Sequence, residues 1–136
     1  SSAVCAPCVS WSQQVTFPSC LHHSGDGQLI CAGFSQGAAV SAYTGLRRQC
    51  LGVLLLGGPC PPRDSLLPAH NRTRVCAIVG STDHCVAHQE LTAAFEKYPS
   101  HDAAVDGVHV IPGQGHVVSS ATEDTGLRFL RSCGCT

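Results

Sequence analysis

The sequence predicts an α/β fold whose core is a mainly parallel sheet of about four strands with crossover helices. Three observations favour this class. Four short apolar runs alternate with segments of helical composition. The second run, Leu51–Leu56, is continuously apolar, which is typical of a parallel strand buried on both faces. The chain has 136 residues, 43% of them hydrophobic and 12% charged, which suits one folded domain.

The individual elements follow from the apolar pattern and from the turn residues between the runs. Strands are predicted at Gln28–Ala32, Leu51–Leu56, Arg74–Val79 and Gly107–Ile111. Helices are predicted at Gln36–Arg48, at Val86–Tyr98 and near the end of Val117–Ser132. Residues 57–68 are rich in Gly and Pro and predict a loop. The chain therefore divides into a cysteine-rich N-terminal segment, 1–26, and an α/β domain, 27–136.

Composition argues against nucleic-acid binding and against a segment that crosses a membrane. The formal net charge is -1 and the sequence has no basic cluster, so we expect no nucleic-acid binding. No apolar run is long enough to cross a bilayer, so we expect no transmembrane segment. The sequence contains no methionine, which indicates a processed chain or a fragment.

The ten cysteines allow up to five disulfides, whose connectivity the sequence leaves open. Together with the glycosylation sequon Asn71-Arg72-Thr73, they favour a secreted or organelle-lumenal protein. A cytoplasmic protein with reduced, buried cysteines is the alternative. Cys76 and Cys85 flank a predicted loop, and a disulfide across that loop is one specific possibility.

Three polar residues directly follow predicted strands. Ser35 lies in "GFSQG", Asp83 in "VGSTDHCV" and His116 in "IPGQGHVV". Because parallel strands end at the same edge of a sheet, we expect these side chains to lie close together. The chain order Ser, Asp, His is that of the α/β-hydrolase triad, with Gly33 and Gly37 as the small residues that a nucleophile elbow requires.

Each residue then has a predicted role and a simpler alternative. Ser35 is the predicted nucleophile, His116 the general base and then acid, and Asp83 the group that orients the histidine. The backbone N–H of Gln36 is the predicted oxyanion donor at the start of a helix. The alternatives are a turn serine, a solvated loop histidine and an aspartate that only caps the next helix. No metal or cofactor is expected at this site.

Two groups of potential metal ligands stand apart from this pattern. One could form a redox or zinc module in the N-terminal segment: Cys5 and Cys8 in a C-x-x-C, with Cys20 and His22 or His23. The other lies at the predicted start of the second helix: His84, Cys85 and His88. A small metal or redox protein is therefore the second alternative to a hydrolase.

The three motifs resemble those of the phospholipase/carboxylesterase group of α/β-hydrolases, which includes the acyl-protein thioesterases. The resemblance covers about residues 27–132 and is specific at "GFSQGAA", "VGSTDHCV" and "PGQGHVV". It implies hydrolysis of carboxylic esters or thioesters through an acyl-serine, without a cofactor, by Ser35, Asp83 and His116.

The chain departs from that group before the elbow. Only 34 residues precede Ser35, so the first half of the family sheet and the loop with the second oxyanion donor are missing. The chain thus resembles a truncated α/β-hydrolase core, the C-terminal half only. It could be a fragment, a reduced hydrolase, or a non-catalytic subunit whose open sheet edge is covered by a protein partner or by the missing N-terminal half.

Overall fold

A computed structural model describes residues 30–47, 50–58, 73–96 and 105–134. These residues form one sheet of four strands: β1 (Ile30–Phe34), β2 (Gly52–Leu56), β3 (Arg74–Gly80) and β4 (Gly107–Ile111). The strands are parallel throughout and lie in the order β1-β2-β3-β4. Three helices accompany them: α1 (Gln36–Arg47), α2 (His88–Phe95) and α3 (Ser120–Ser132). The predicted fold class is confirmed.

Several element boundaries differ from the prediction by one to three residues, and two of these differences have identifiable reasons. Strand β1 continues to Phe34, because Gly33 and Phe34 pair with Leu55 and Leu56 of β2. Helix α3 begins at Ser120, close to the start of the range 117–132 and not only near its end. The Ser119 side chain accepts a hydrogen bond from the Thr122 N–H, and the Thr122 hydroxyl accepts one from the Ser119 N–H. This capping box defines the first turn of the helix.

The sheet separates two apolar clusters. Helices α1 and α2 cover one face, whose buried core includes Ala38, Ala42, Val53, Leu55, Val75, Val79, Leu91 and Phe95. Helix α3 covers the other face, whose buried core is Leu54, Cys76, Ile78 and Phe129. Adjacent residues of β2 and β3 point to opposite faces. Both strands are therefore covered on both sides, as their continuous apolar sequences predict.

Arg74 connects β3 to the opposite end of the chain. Its guanidinium Nη2 lies 2.8 Å from Asp106 Oδ1, and its Nη1 donates a 2.9 Å hydrogen bond to the Ser132 carbonyl. The guanidinium carbon lies 5.6 Å from the centre of the Phe129 ring. The Asp106 side chain is 2% exposed, so Arg74 neutralises a carboxylate that water scarcely reaches.

We expect Arg74→Ala to lower the free energy of unfolding by about 3 kcal/mol, because it leaves the Asp106 charge buried without its partner. Urea unfolding measures the loss. Arg131→Ala, which removes an exposed arginine of α3, is the matched control and should cost little. Equal losses in the two variants would contradict this account of Arg74.

The predicted disulfide between Cys76 and Cys85 is wrong. Cys76 lies fully buried on β3 under α3, whereas Cys85 is exposed, and the two are not bonded. Burial, followed by the nearby Asp106 carboxylate, raises the pKa of the Cys76 thiol to about 12, so this thiol is protonated and unreactive at neutral pH. No disulfide joins cysteines within the described ranges.

Several sequence predictions concern residues that the structure does not describe. Segment 1–26 with its possible metal or redox module, the sequon at Asn71, and the predicted helix end at Tyr98 lie outside the described residues. Among the helices described, none is sufficiently long and apolar to cross a membrane.

The edges of the described sheet are β1 and β4. Beside the sheet, an apolar groove of about 300 Å³ runs between β2 and α3, and its wall includes Leu56, Val118 and Leu127. Val118 and Leu127 are 43% and 45% exposed. Coverage of the sheet edge by a protein partner or by a missing N-terminal half stays a prediction.

Candidate active site

Ser35 lies in a sharp turn between β1 and α1. Its φ of 57° is in the left-handed region, which a residue with a side chain adopts only when its surroundings hold it there. The Ser35 N–H donates a 2.8 Å hydrogen bond to the Leu56 carbonyl at the end of β2. The Ser35 carbonyl accepts a 3.0 Å bond from the Ala38 N–H in the first turn of α1. Neighbouring elements therefore hold this turn on both sides.

Two glycines allow the backbone to pass close to this turn. A Cβ atom at Gly33 would lie 2.1 Å from the Gly37 carbonyl oxygen and 2.7 Å from Ser41 Oγ. A Cβ atom at Gly58 would lie 2.7 Å from the Ser35 carbonyl oxygen. Non-bonded atoms do not approach so closely, so a larger residue at either position would move the elbow. Gly37, the other predicted small residue, is buried.

We expect Gly33→Ala to destabilise the fold by about 3 kcal/mol, because the added methyl group overlaps a carbonyl that cannot rotate away. Thermal unfolding followed by circular dichroism measures the change. Gly115→Ala is the control, since a Cβ atom there meets no atom within 4 Å. A Gly33→Ala chain as stable as the Gly115→Ala chain would contradict the close approach.

The structure brings the side chains of Ser35, His116 and Asp83 into one chain of hydrogen bonds. Ser35 Oγ lies 2.9 Å from His116 Nε2, and His116 Nδ1 lies 2.8 Å from Asp83 Oδ2. The histidine side chain is 26% exposed and the aspartate side chain 1% exposed. The serine and the histidine thus face the accessible side of the site, while the carboxylate is enclosed behind them.

Both oxygens of Asp83 are engaged. Oδ2 accepts the hydrogen bond from His116, and Oδ1 accepts N–H bonds from Cys85 at 2.7 Å and Val86 at 3.1 Å. Burial raises the Asp83 pKa, but these hydrogen bonds outweigh it and leave the pKa below its ordinary value of 3.8. The alternative that Asp83 only caps the following helix is wrong, because the N-cap of α2 is Ala87.

This lowered pKa makes the contribution of Asp83 to stability depend on pH. The ionised carboxylate stabilises the fold above the unfolded-state pKa of 3.8, and this contribution is lost as pH falls through the lower pKa of the folded chain. We expect the advantage of the wild type over Asp83→Asn in urea unfolding to shrink between about pH 5 and about pH 2. An advantage that stayed constant over this interval would contradict the assignment.

The loops that carry Asp83 and His116 are joined by hydrogen bonds. Ser81 Oγ accepts a 2.7 Å bond from the Gly113 N–H, and the Gln114 carbonyl accepts a 3.0 Å bond from the Thr82 N–H. A Cβ atom at Gly80 would lie 2.0 Å from that same carbonyl oxygen, so the absence of a side chain permits this contact. The acid loop and the histidine loop therefore keep a fixed relative position.

Gln114 also connects the histidine loop to α3, a role that the sequence motifs do not reveal. Its side-chain Nε2 donates a 3.0 Å bond to the Val117 carbonyl. Its Oε1 accepts bonds from the Ser119 and Thr122 hydroxyls. The Phe34 ring lies beside the histidine, with its centroid 4.9 Å from the imidazole centroid. Gln114 thus holds the loop that carries His116, and Phe34 contacts the imidazole itself; no sequence rule identifies these contacts in advance.

Gln36 is the first residue of α1 and directly follows Ser35. N–H groups in the first turn of a helix have no acceptor inside that helix and lie at the positive end of its dipole. The predicted oxyanion donor therefore sits beside the serine at a helix N-terminus. The Gln36 side-chain Oε1 is buried without a hydrogen-bond partner in the described part of the chain.

The predicted metal cluster of His84, Cys85 and His88 is not brought together. In the portion of the chain that the structure describes, the group with metal-ligand spacing is Asp83, Cys85 and His116, whose ligand atoms lie within 4.8 Å of one another. Two of these residues belong to the serine–histidine–aspartate arrangement and bond to each other there.

A parallel sheet flanked by helices on both faces, with serine, aspartate and histidine at its carboxyl edge in that chain order, defines an α/β-hydrolase. The sequence profile of the phospholipase/carboxylesterase family matches residues 21–133. The chain belongs to this family. No curated protein sequence is significantly similar to it.

Solved structures with this fold include esterases. The chain is similar to esterase PE8, with 27% identity and a TM-score of 0.66, over 96% of this chain and 58% of that one. It also resembles a variant of SOBER1 from Arabidopsis thaliana, at 16% identity and a TM-score of 0.69, over 98% and 66% of the two chains. The Bacillus cereus carboxylesterase matches at 17% identity and a TM-score of 0.62, over 82% and 53%. The chain thus spans between about half and two thirds of their lengths.

Proposed function

We propose that this chain carries the catalytic residues of a serine hydrolase that cleaves carboxylic esters or thioesters through an acyl-serine intermediate. The observation that supports the proposal most directly is the continuous set of contacts from Ser35 Oγ through both imidazole nitrogens of His116 to Asp83 Oδ2. Family membership supports the same class of reaction. A serine that only turned the chain would need no such partner.

In the first half of the proposed reaction, Ser35 Oγ attacks the carbonyl carbon of the acyl group. His116 Nε2, 2.9 Å away, accepts the hydroxyl proton as the new C–O bond forms. The C–O or C–S bond to the leaving group then breaks, and His116 returns the proton to the departing oxygen or sulfur. This leaves the acyl group on Ser35 as an ester.

In the second half, His116 takes a proton from a water molecule as the water oxygen attacks the acyl carbon. The bond from that carbon to Ser35 Oγ then breaks, His116 returns the proton to Oγ, and the carboxylic acid is released. Asp83 holds Nδ1 protonated, so Nε2 is the nitrogen that takes up the proton, and its buried negative charge stabilises the imidazolium. The Gln36 N–H is the proposed donor to the oxyanion in both tetrahedral intermediates. No step of this sequence needs a metal or an organic cofactor.

A fluorophosphonate probe tests the proposal, because it labels a serine only when that serine is activated as a nucleophile. The native chain is treated with the probe, digested with trypsin and Asp-N protease, and the peptide 26–47 is analysed by mass spectrometry. This peptide contains Ser35 and Ser41 as its only serines. We expect phosphonylation at Ser35, with none in heat-denatured chain.

The matched variants are Ser35→Ala and Ser41→Ala. Label should be lost in the first and retained in the second, provided that both fold, as judged by circular dichroism. Folded wild-type chain that takes up no label would overturn the proposal. That result would favour the alternative, a non-catalytic hydrolase-derived subunit in a larger assembly.

A further inference from the structure

Two buried cysteines on the α1 side of the sheet lie close together, away from the proposed triad. Cys31 Sγ on β1 and Cys50 Sγ, two residues before β2, are 3.6 Å apart. The two residues are 0% and 3% exposed. They are separated by the whole of helix α1, so their proximity is a product of the fold and not of the local sequence.

The backbone holds both cysteines in this position. The Cys50 N–H donates a 3.3 Å bond to the Gly45 carbonyl, and the Cys50 carbonyl accepts a 2.8 Å bond from the Thr73 hydroxyl. Gly45 also leaves room for the other partner, since a Cβ atom there would lie only 3.2 Å from Cys31 Cβ. Cys31 itself is fixed by its strand, where it pairs with Val53.

We propose that Cys31 and Cys50 form an intramolecular disulfide that joins β1 to the start of β2 and encloses α1. A disulfide bond requires a sulfur–sulfur separation of about 2.0 Å. The two sulfurs are 3.6 Å apart and must therefore approach by about 1.6 Å, which we expect rotation of the two side chains to supply. The link would fix β1, the strand that ends directly before Ser35. It is distinct from the thiols on the opposite face, where Cys76 lies beneath α3.

The chemistry balances with a small-molecule disulfide such as oxidised glutathione as the oxidant. One cysteine thiolate attacks the glutathione disulfide, which forms a mixed disulfide and releases one glutathione thiolate. The second cysteine then attacks the protein sulfur of the mixed disulfide and releases the other glutathione. The two cysteines together lose two electrons and two protons. These electrons and protons are taken up by the oxidised glutathione, which becomes two molecules of reduced glutathione.

The test refolds the full chain from urea in a buffer of reduced and oxidised glutathione, so that burial of the two thiols does not prevent reaction. Remaining thiols are then alkylated under denaturing conditions, and the sample is digested without reduction. Trypsin and Asp-N protease place Cys31 alone in peptide 26–47. In a Cys60→Ser background they place Cys50 alone in peptide 49–63. A disulfide between these two peptides can therefore only be the one between Cys31 and Cys50, whatever bonds the N-terminal cysteines form.

We expect peptides 26–47 and 49–63 to be recovered as one disulfide-linked species that dithiothreitol separates. Cys31→Ser should abolish it, whereas Cys85→Ser, which removes an exposed thiol, should leave it unchanged. The oxidised wild type should also unfold several degrees above its reduced form, a difference absent from Cys31→Ser, because the bond restricts the unfolded chain. Alkylation of both cysteines, a stable glutathione adduct on either, or pairing of either with another cysteine would overturn the proposal.

Discussion

Replacing Ser35 with alanine is expected to lower the kcat for ester hydrolysis by about 10⁶-fold. The Ser35 hydroxyl is the proposed nucleophile that forms the acyl intermediate, and its partner His116 Nε2 lies 2.9 Å away. Without this hydroxyl no acyl-serine can form, and His116 is left with the direct activation of water, which is a far slower route. Hydrolysis of a p-nitrophenyl ester, followed by absorbance, measures the change.

Ser120→Ala is the matched control, since Ser120 is exposed at the first position of α3 and belongs to no hydrogen bond of the site. Its activity should equal that of the wild type. Unchanged hydrolysis by a folded Ser35→Ala chain would show that the serine is not the nucleophile. Wild-type chain that is inactive but still labels at Ser35 would instead indicate that deacylation requires more than this chain contains.

Asp83→Asn is expected to lower kcat by about 10⁴-fold with a smaller effect on KM. An amide in place of Oδ2 can donate to His116 Nδ1, which favours the tautomer with its proton on Nε2 and leaves that nitrogen unable to accept the serine proton. The variant also lacks the buried charge that stabilises the imidazolium. Steady-state hydrolysis, with the rate of fluorophosphonate labelling as a second measurement, tests this expectation.

Asp124→Asn on the exposed side of α3 provides the control for loss of one negative charge. It should retain full activity and labelling. If Asp83→Asn kept most of its kcat, the hydrogen bond to His116 would be structural only, and the proposed role of the aspartate would be wrong.

The sheet was predictable because its strands carry a strong local signal. Continuous apolar runs such as Leu51–Leu56 have few alternatives in a chain of this composition, and β4 coincides with its predicted range. The three polar residues could also be located in advance, since parallel strands must end at a common edge. Their proximity follows from topology alone, and the structure adds the distances that a sequence cannot supply.

Element ends were less predictable, because they depend on partners distant in sequence. Gly33 looks like a strand terminator, yet it remains in β1 because its neighbour on β2 extends equally far. In 117–132 only the end has a clear helical pattern in the sequence, whereas the capping box at Ser119 starts the helix at Ser120. The contacts of Arg74 with Asp106 and of Cys31 with Cys50 join residues that no local pattern relates.

The backbone contacts that surround the site also divide its glycines into two groups, according to whether a side chain would fit at the position. At positions 33, 58 and 80 a carbonyl oxygen or a methyl group occupies the space that any side chain would need. At position 115 that space is empty. Selection for a folded chain alone would therefore preserve the first three glycines, even in descendants that had lost the chemistry. An intact elbow glycine in a relative is thus evidence for the same fold only. Evidence for the same reaction requires Ser35, Asp83 and His116 together.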